Sequence, residues 1–437
     1  MLPNSIAIYL KPRLLAVLVL GFVSGLPLAL TGSTLTAWLT ESGVDLTNIG
    51  FYASIGIPYT FKFFISPLVD GLNLPIVDKL LGKRRSWMVF IQILLMLSIF
   101  ILGLFNPSES PWWVALFAFW VATFSATQDT IIDAYRVEIL PKDEQGEGAA
   151  VAVLGYRIGM IASGAGALFL ATAYGWQTTY HIMAAIIPIA WLVIWFAGEP
   201  EVRGQDSGFR IQEVEIRKFS VWFDEYVIKP FTDFMQREEW LVILLFIALY
   251  KLGDAFIGNM ANPFYLKIGF SKNEIATIVK FYGLIATIAG SFIGSWLIKR
   301  IGVMKTLWFC GIGHALTNLM FIAQARVGAD TGFLAFSISI ENVSGGMGLT
   351  AFVAFISNLV NVRFTATQYA LLSSLSAVGR TLLSTPSGWV AKNFGWELFF
   401  ILSVLLAVPG LVVLWWLSKK NWGIGEMKKW GNEELRK

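Results

Sequence analysis

The chain has 437 residues, 56% hydrophobic and 14% charged, with a mean hydropathy of +0.65. A soluble globular protein, whose apolar share is about half and is broken into short stretches, is excluded. The net charge of +4 is small and its placement says more than its size; no nucleic-acid partner is expected.

Apolar runs of membrane-spanning length, about 20 residues each, recur along the chain. Twelve spans are predicted, at 14–40, 47–70, 86–105, 112–136, 149–172, 178–197, 240–263, 272–299, 304–324, 330–360, 366–391 and 396–418. Residues 1–13 show no small-residue cleavage site after a short apolar core, so span one is expected to be retained. Trp112 and Trp113 at the outer end of span four, and Trp415 and Trp416 at the inner end of span twelve, fit interfacial aromatic belts.

Lysine and arginine set the orientation. Of 33, connections on the N-terminal side hold 24, including Lys11, Arg13, Lys83, Arg84, Arg85, Arg136, Lys142 and Arg363. The opposite side holds only Lys267, Lys272, Arg326 and Lys392. Both termini are therefore expected in the cytoplasm. Five basic residues remain inside spans: Lys62, Arg157, Lys251, Lys280 and Arg380.

The chain repeats itself. GVDLTNIG at 43–50 pairs with GFSKNEIA at 269–276, an offset of 226; LGKRRSW at 81–87 pairs with IGVMKTL at 301–307, and YGW at 174–176 with FGW at 394–396, both at 220. Six spans plus six, both halves entering from the cytoplasm, give parallel halves related by an axis normal to the bilayer. This all-α membrane architecture, twelve transmembrane helices as two six-helix halves, resembles that of the major facilitator transporters, whose solute site lies near the midplane between halves. The expected boundaries are 1–198 for the first bundle, 199–239 for a cytoplasmic linker, 240–418 for the second bundle and 419–437 for a cytoplasmic tail. Phe219, Trp222, Phe223, Tyr226 and Val227 recur at helical spacing in the linker, predicting an amphipathic helix on the inner leaflet. The alternative is a plain linker.

The junction of spans two and three, SPLVDGLNLPIVDKLLGKRRSW, carries Asp70 with Lys83, Arg84 and Arg85. It looks like a stretched form of the facilitator signature in which an acid caps a helix end and cations face it, and it is read as gating equipment. A plain positive-inside loop would explain the cations but not Asp70. The second-half copy, GSWLIKRIGVMK, has Ile298 where the acid would be.

A charge at the bilayer centre costs about 2.5–3.5 kcal/mol on insertion scales, so each needs a partner or a wet cavity. Asp129 and Asp133, four residues apart on span four, project from one helix face. At about 1.5 Å per residue, Lys62, Asp129 and Arg157 each fall roughly 12 Å from the cytoplasmic side, which suggests one ion-paired cluster. Asp133 lies a turn nearer the cytoplasm, within reach of Arg157 or Arg136. On span seven Lys251 and Asp254 can pair along one face, with Lys280 and Arg380 flanking. Glu341 falls near the midplane of span ten with no cation within a turn. Glu341 or Asp133 is therefore the expected proton carrier, and Asp129 a cation-holding or gating acid. The competing reading is a set of buried structural salt bridges. Span one holds Gly21, Gly25, Pro27 and Gly32, a kinked run whose freed backbone groups need hydroxyls or a cavity. Ser24, Thr31, Ser33 and Thr34 stand nearby, and Ser24, Thr31, Gln128 and Asn342 are the expected polar lining.

An enzyme is not expected. The two histidines, His181 and His314, lie on different spans and read as packed or weakly paired residues, and no HExxH, GxSxG, CxxC or P-loop pattern occurs. Cys310 is the single cysteine, which leaves no intramolecular disulfide or zinc cluster; no metal or cofactor is expected.

SATQDTIIDAYRVEILP (125–141), GAAVAVLGYRIGM (148–160), LYKLGDAF (249–256), ENVSGGMG with AFVAFISNL (341–359) and FTATQYALLSSLSAVGR (364–380) resemble the AmpG family of bacterial inner-membrane muropeptide permeases. That family groups with the acetyl-CoA transporters among the major facilitators, and the resemblance runs from about residue 13 to 417. It implies proton-driven import of anhydromuropeptides, GlcNAc–anhydroMurNAc with or without peptide, from periplasm to cytoplasm, with roles in peptidoglycan recycling and β-lactamase induction. By motif position it marks Asp129, Asp133, Arg157, Lys251, Asp254, Glu341 and Arg380. Some members carry further apolar segments near the C-terminus. The alternatives are a carrier of another bulky polar solute (an acyl-CoA, a peptide or a nutrient) and a non-transporting membrane sensor of wall fragments. The expected partners are the solute, protons and the lipid bilayer, with the protein a monomer.

Overall fold

The computed structural model describes residues 8–44, 53–74, 78–200, 222–258, 260–271, 274–384 and 387–419, and every regular element among them is helical. Nine segments among the described residues are long and apolar enough to cross a membrane. One, Lys142–Leu192, is 51 residues long. At about 1.5 Å per residue it exceeds twice a bilayer's hydrocarbon core, and it breaks at Gly175 (φ 79°) into spans five and six. Ser387–Lys419 breaks at Gly395 (φ 76°) in the same way, where span twelve begins.

The two remaining expected spans differ in kind. Span two is no single helix: its described part is a series of short turns, Ala53–Gly56, Ile57–Thr60, Lys62–Phe64 and Ser66–Gly71. Pro58 and Pro67 each remove a backbone donor, and proline also turns the residue before it away from helical angles. Residues 45–52, which include most of the first repeat segment, lie outside the described residues. Span eleven, Thr365–Ser384, is helical but carries hydroxyls at Thr365, Thr367, Ser373, Ser374, Ser376, Thr381 and Ser384.

The repeat has a backbone signature. Gly43 and Gly269, Gly82 and Gly302, and Gly175 and Gly395 all have positive φ. Only glycine enters that region without a steric penalty, so the chain turns at matching points in both halves.

The chain divides into two compact units, Met1–Phe231 with Val360–Ser374, and Thr232–Leu359 with Leu375–Lys437. In the first unit, spans one and five approach backbone to backbone. A Cβ on Gly21 would sit 2.7 Å from the Ala152 carbonyl oxygen, and one on Gly25 would fall into that of Tyr156. Gly155 and Gly159 return the contact against Leu18 and Phe22. In the second unit Gly290 and Gly294 of span eight meet Val343 and Met347 of span ten, and Gly346 meets Thr287. Lipid offers no hydrophobic drive for helices to associate, so such small-residue seams supply the packing. Around them lie a core with Leu20, Val23, Trp38 and Tyr135 in the first unit and an aromatic one with Phe256, Phe264, Phe321 and Phe400 in the second. Trp112 is 85% exposed and Trp415 47%, as interfacial anchors require.

The linker's described part is helical through Asp224–Ile228 and Lys229–Met235; Phe219 lies outside the described residues. Two residues of its aromatic face meet protein, while Phe223 is 41% exposed. Trp222 Nε1 donates to the Gly71 carbonyl at 3.4 Å, and Tyr226 lies beneath Lys83, 6.0 Å from its ring centroid. Glu225 pairs with Lys229 at 2.6 Å and with Arg363; the Lys229 hydrogen bond holds its carboxyl below the usual glutamate range.

Replacing Gly25 or Gly159 by alanine forces spans one and five apart and should cost about 1–3 kcal/mol. The check is a lower melting temperature of the purified protein, against Gly164→Ala as control, where the nearest atom to a new Cβ is 3.9 Å away.

Candidate functional site

Three groups of polar side chains stand inside or at the ends of the spans. The first is at the junction of spans two and three. Asp70 is 3% exposed and uses both carboxylate oxygens. Oδ1 accepts from Arg84 Nη2 at 2.8 Å; Oδ2 accepts from the Thr367 backbone N–H at 2.8 Å and from its hydroxyl at 2.7 Å. Thr367 is the third residue of span eleven's helix, so Asp70 satisfies an orphan donor at that helix's start. Glu138 of span four grips Arg84 from the other side, with Nη2 at 2.6 Å and Nε at 3.0 Å. Lys83 donates to the Asp70 carbonyl. Glu199 accepts from the backbone N–H groups of Arg84 at 2.7 Å and Arg85 at 3.1 Å, capping span three from outside. Burial pushes the Glu199 carboxyl up, while the two backbone donors pull the other way. The acid and the cations read from the sequence thus converge; Glu138, Glu199 and Thr367, their partners, went unread because they lie far along the chain.

The second group is on span four. Asp133 carries the ion pairs, 3.8 Å from Lys62 and 3.7 Å from Arg136, whose Nη2 donates to the Tyr369 hydroxyl at 3.0 Å. Asp129 accepts from Ser24 at 2.5 Å, and among the described residues no cation lies within ion-pair distance of it. Arg157 stands 4.0 Å from Met160 Sδ, again with no acid in range. The expected Lys62–Asp129–Arg157 cluster is therefore rearranged: Lys62 goes to Asp133 and Arg157 stays apart. The depth count assumed an unbroken helix in span two, whereas Lys62 sits in a 3-10 turn with a different rise per residue.

Span one's kink is repaired by span four. Pro27 cannot donate to the carbonyl four residues back, Val23, and Gln128 Nε2 donates to that oxygen at 3.3 Å instead. The hydroxyls expected to serve here act differently. Thr31 bonds the Pro27 carbonyl at 3.0 Å and Thr34 that of Ser163 at 2.6 Å.

The third group is in the second unit. Asp254 holds Lys251 at 3.3 Å and His314 Nε2 at 2.7 Å. His314, read as a packed or weakly paired residue, is thus a hydrogen-bond partner of Asp254. Its signal was there in Cys310, His314 and Asn318, polar positions one turn apart on a single face of span nine. Glu341 is half-buried with no hydrogen-bond or ion-pair partner among the described residues. Asn342 bonds the Ile338 carbonyl at 3.0 Å and the Thr287 hydroxyl at 2.8 Å, tying span ten to span eight. Lys280 is exposed on a π-helical turn, with no acid in ion-pair range among the described residues. The Arg380 side chain lies outside the described residues.

Asp70→Ala takes one carboxylate from the buried Arg84 guanidinium, strands the Thr367 amide and should cost about 3–5 kcal/mol. A denaturation series should find Asp70→Ala combined with Arg84→Met less damaging than the sum of the two, because the residues share one network. Gln128→Leu leaves the Val23 carbonyl unpaired and should cost about 1–3 kcal/mol by the same measurement.

The Major Facilitator Superfamily family model matches residues 17–252 and 243–429, once for each half. The chain is 39% identical over 409 residues to the anhydromuropeptide permease of Escherichia coli K12, covering 93% of this chain and 80% of that one. It is also 39% identical to "Putative transporter AmpG 4" of Rickettsia felis, over 93% and 97% of the two chains. Solved structures with this fold include the proton:xylose symporter XylE, at TM-score 0.69, 13% identity, and 94% and 96% coverage. Another is FucP in the outward conformation, at TM-score 0.69, 16% identity, and 93% and 99% coverage. Nine membrane-length apolar segments among the described residues, a repeat that turns on paired glycines and this likeness in sequence over nearly the whole length place the protein: it belongs to the Major Facilitator Superfamily, among the AmpG-type permeases.

Proposed function

We propose that this protein imports anhydromuropeptides, GlcNAc–anhydroMurNAc with or without peptide, across the bacterial inner membrane for peptidoglycan recycling, with protons as the driving ion. The observation that carries the solute class is the identity with an anhydromuropeptide permease, 39% over 93% of the chain, which takes in all the charged spans. Proton coupling is supported by Asp129 and Glu341, half-buried carboxyls in membrane spans with no cation in ion-pair range among the described residues. Such an acid can enter a low-dielectric setting by taking up a proton, whereas a paired one is held ionised.

In this reading Glu341 or Asp129 carries the proton, the paired Asp133 and Asp254 hold their cations, and Lys62, Arg157, Lys251, Lys280 and Arg380 supply counter-charge to an anionic peptide. Asp70, Lys83, Arg84 and Arg85 form a cytoplasmic latch with the start of span eleven. Both termini are cytoplasmic, residues 1–198 and 240–418 form the two bundles, 199–239 links them, and the protein acts as a monomer.

Membrane vesicles test this with labelled GlcNAc–anhydroMurNAc, supplied with and without an inward proton gradient. Wild-type uptake should rise with the gradient. Glu341→Gln and Asp129→Asn should lower the gradient-driven part by about 5–150-fold, the range of a coupling worth about 1–3 kcal/mol. Uptake indifferent to the gradient removes the coupling. No uptake of any wall fragment, with uptake of an acyl-CoA, peptide or nutrient, moves the assignment to another bulky polar solute, and binding without uptake to a sensor.

A further inference from the structure

A small cavity of about 20 Å³ lies within the second unit, lined by Lys251, Asp254, His314, Asn318, Ser344 and Gly345 among others. Its walls hold polar atoms that the rest of the protein leaves unpaired. Asn318 is 1% exposed, and neither its Oδ1 nor its Nδ2 has a partner. His314 Nδ1 is likewise buried without one.

The hydrogen bond to Asp254 settles which nitrogen of His314 is which. A carboxylate only accepts, so Nε2, 2.7 Å from Asp254 Oδ1, carries the hydrogen. In the neutral ring Nδ1 is then the lone-pair acceptor. The Nδ1–Cε1 edge faces Gly345, where a Cβ would sit 3.7 Å and 3.3 Å from those two atoms. A water needs about 10–15 Å³ and two to four polar partners; this space, with Nδ1 and both ends of the Asn318 amide, provides both.

We propose that His314 is a proton-binding residue, loaded through a water held in this cavity by Asn318. A hydronium at the water's place breaks one O–H bond, an N–H bond forms on the Nδ1 lone pair, and a neutral water remains. Nε2 keeps its hydrogen bond to Asp254 in both states, so loading and unloading need no rearrangement of that pair. The charged and titratable groups facing the ring are Asp254 and Lys251 from span seven and Glu341 from span ten, with Cys310 and Tyr250 on the same walls. Span twelve contributes only Ala407 and Leu411. The Tyr250 hydroxyl is occupied, donating to the Leu307 carbonyl at 3.0 Å. The added positive charge on the ring is offset by Asp254 and by Glu341, whose place on span ten puts it on the same helix face as Ser344, Gly345 and Gly348. A part for His314 in driving transport rests on the proton-coupled reading above.

The chain's two histidines make a direct test possible. His181 stacks on Phe100 with centroids 4.1 Å apart and takes no part in the site, so His181→Gln leaves a single imidazole. Nitrogen NMR of the purified, ¹⁵N-histidine-labelled full chain should show the Nε2–H tautomer at high pH and protonation of Nδ1 as the pH is lowered. Asn318→Leu, which replaces the water's anchor with an apolar group, should move that midpoint by about one pH unit or more. A ring that keeps one protonation state throughout the titration, or a midpoint untouched by Asn318→Leu, overturns the proposal. In vesicles, His314→Gln should lose the gradient stimulation of uptake seen in the wild type. Equal stimulation of variant and wild type overturns the part assigned to His314 alone. A wild type without stimulation overturns the coupled reading itself, and with it any part for His314 in transport, while the titration still decides the proton site.

Discussion

A polar or charged group inside a bilayer has no water to bond, so each must find a partner within the protein or stand beside a wet space. Much of this protein's interior follows from that constraint. The carbonyl that Pro27 frees on Val23 is met by Gln128 from another span. Asp70 spends both oxygens, one on Arg84 and one on the backbone and hydroxyl of Thr367. Asp129 has the Ser24 hydroxyl but no cation in ion-pair range, and Glu341 and the Asn318 amide have no partner among the described residues. An uncompensated group in low dielectric is costly, and it persists where it serves ions or solute.

The same constraint shapes the packing. Helices that share hydrogen bonds across a span must stand close, and the glycine seams between spans one and five and between eight and ten bring backbones into direct contact. Ser24 reaches Asp129 from span one, and Thr287 reaches Asn342 from span eight. Span one thus brings a short hydroxyl to an acid of span four, and span eight brings one to an amide of span ten.

The two halves repeat in backbone but not in charge. Paired glycines turn the chain at equivalent points, while the junction acid of the first half, Asp70, has only Ile298 as its counterpart. The first unit holds its acids with lysine, arginine and hydroxyls; the second uses a lysine, a histidine and a water-sized cavity. A duplicated scaffold has thus diverged in its polar chemistry, as expected where the scaffold positions the helices and individual side chains set what is carried.

Hydropathy, repeat offsets and charge asymmetry made the class, the twelve spans and the twofold organisation legible in the linear chain, because each is a sum over many residues or a periodic pattern. The intramembrane charges were legible too, since any ionisable residue in a long apolar run stands out. Their partners were not. Which of Asp129 and Asp133 receives Lys62 depends on a break in span two that shifts one side chain along the helix axis. Whether His314 is mere packing or the partner of Asp254 depends on two helices sixty residues apart in sequence meeting at one face. Hydrogen bonds are decided over a few tenths of an ångström between groups distant in the chain, and only the packed tertiary structure brings those groups together.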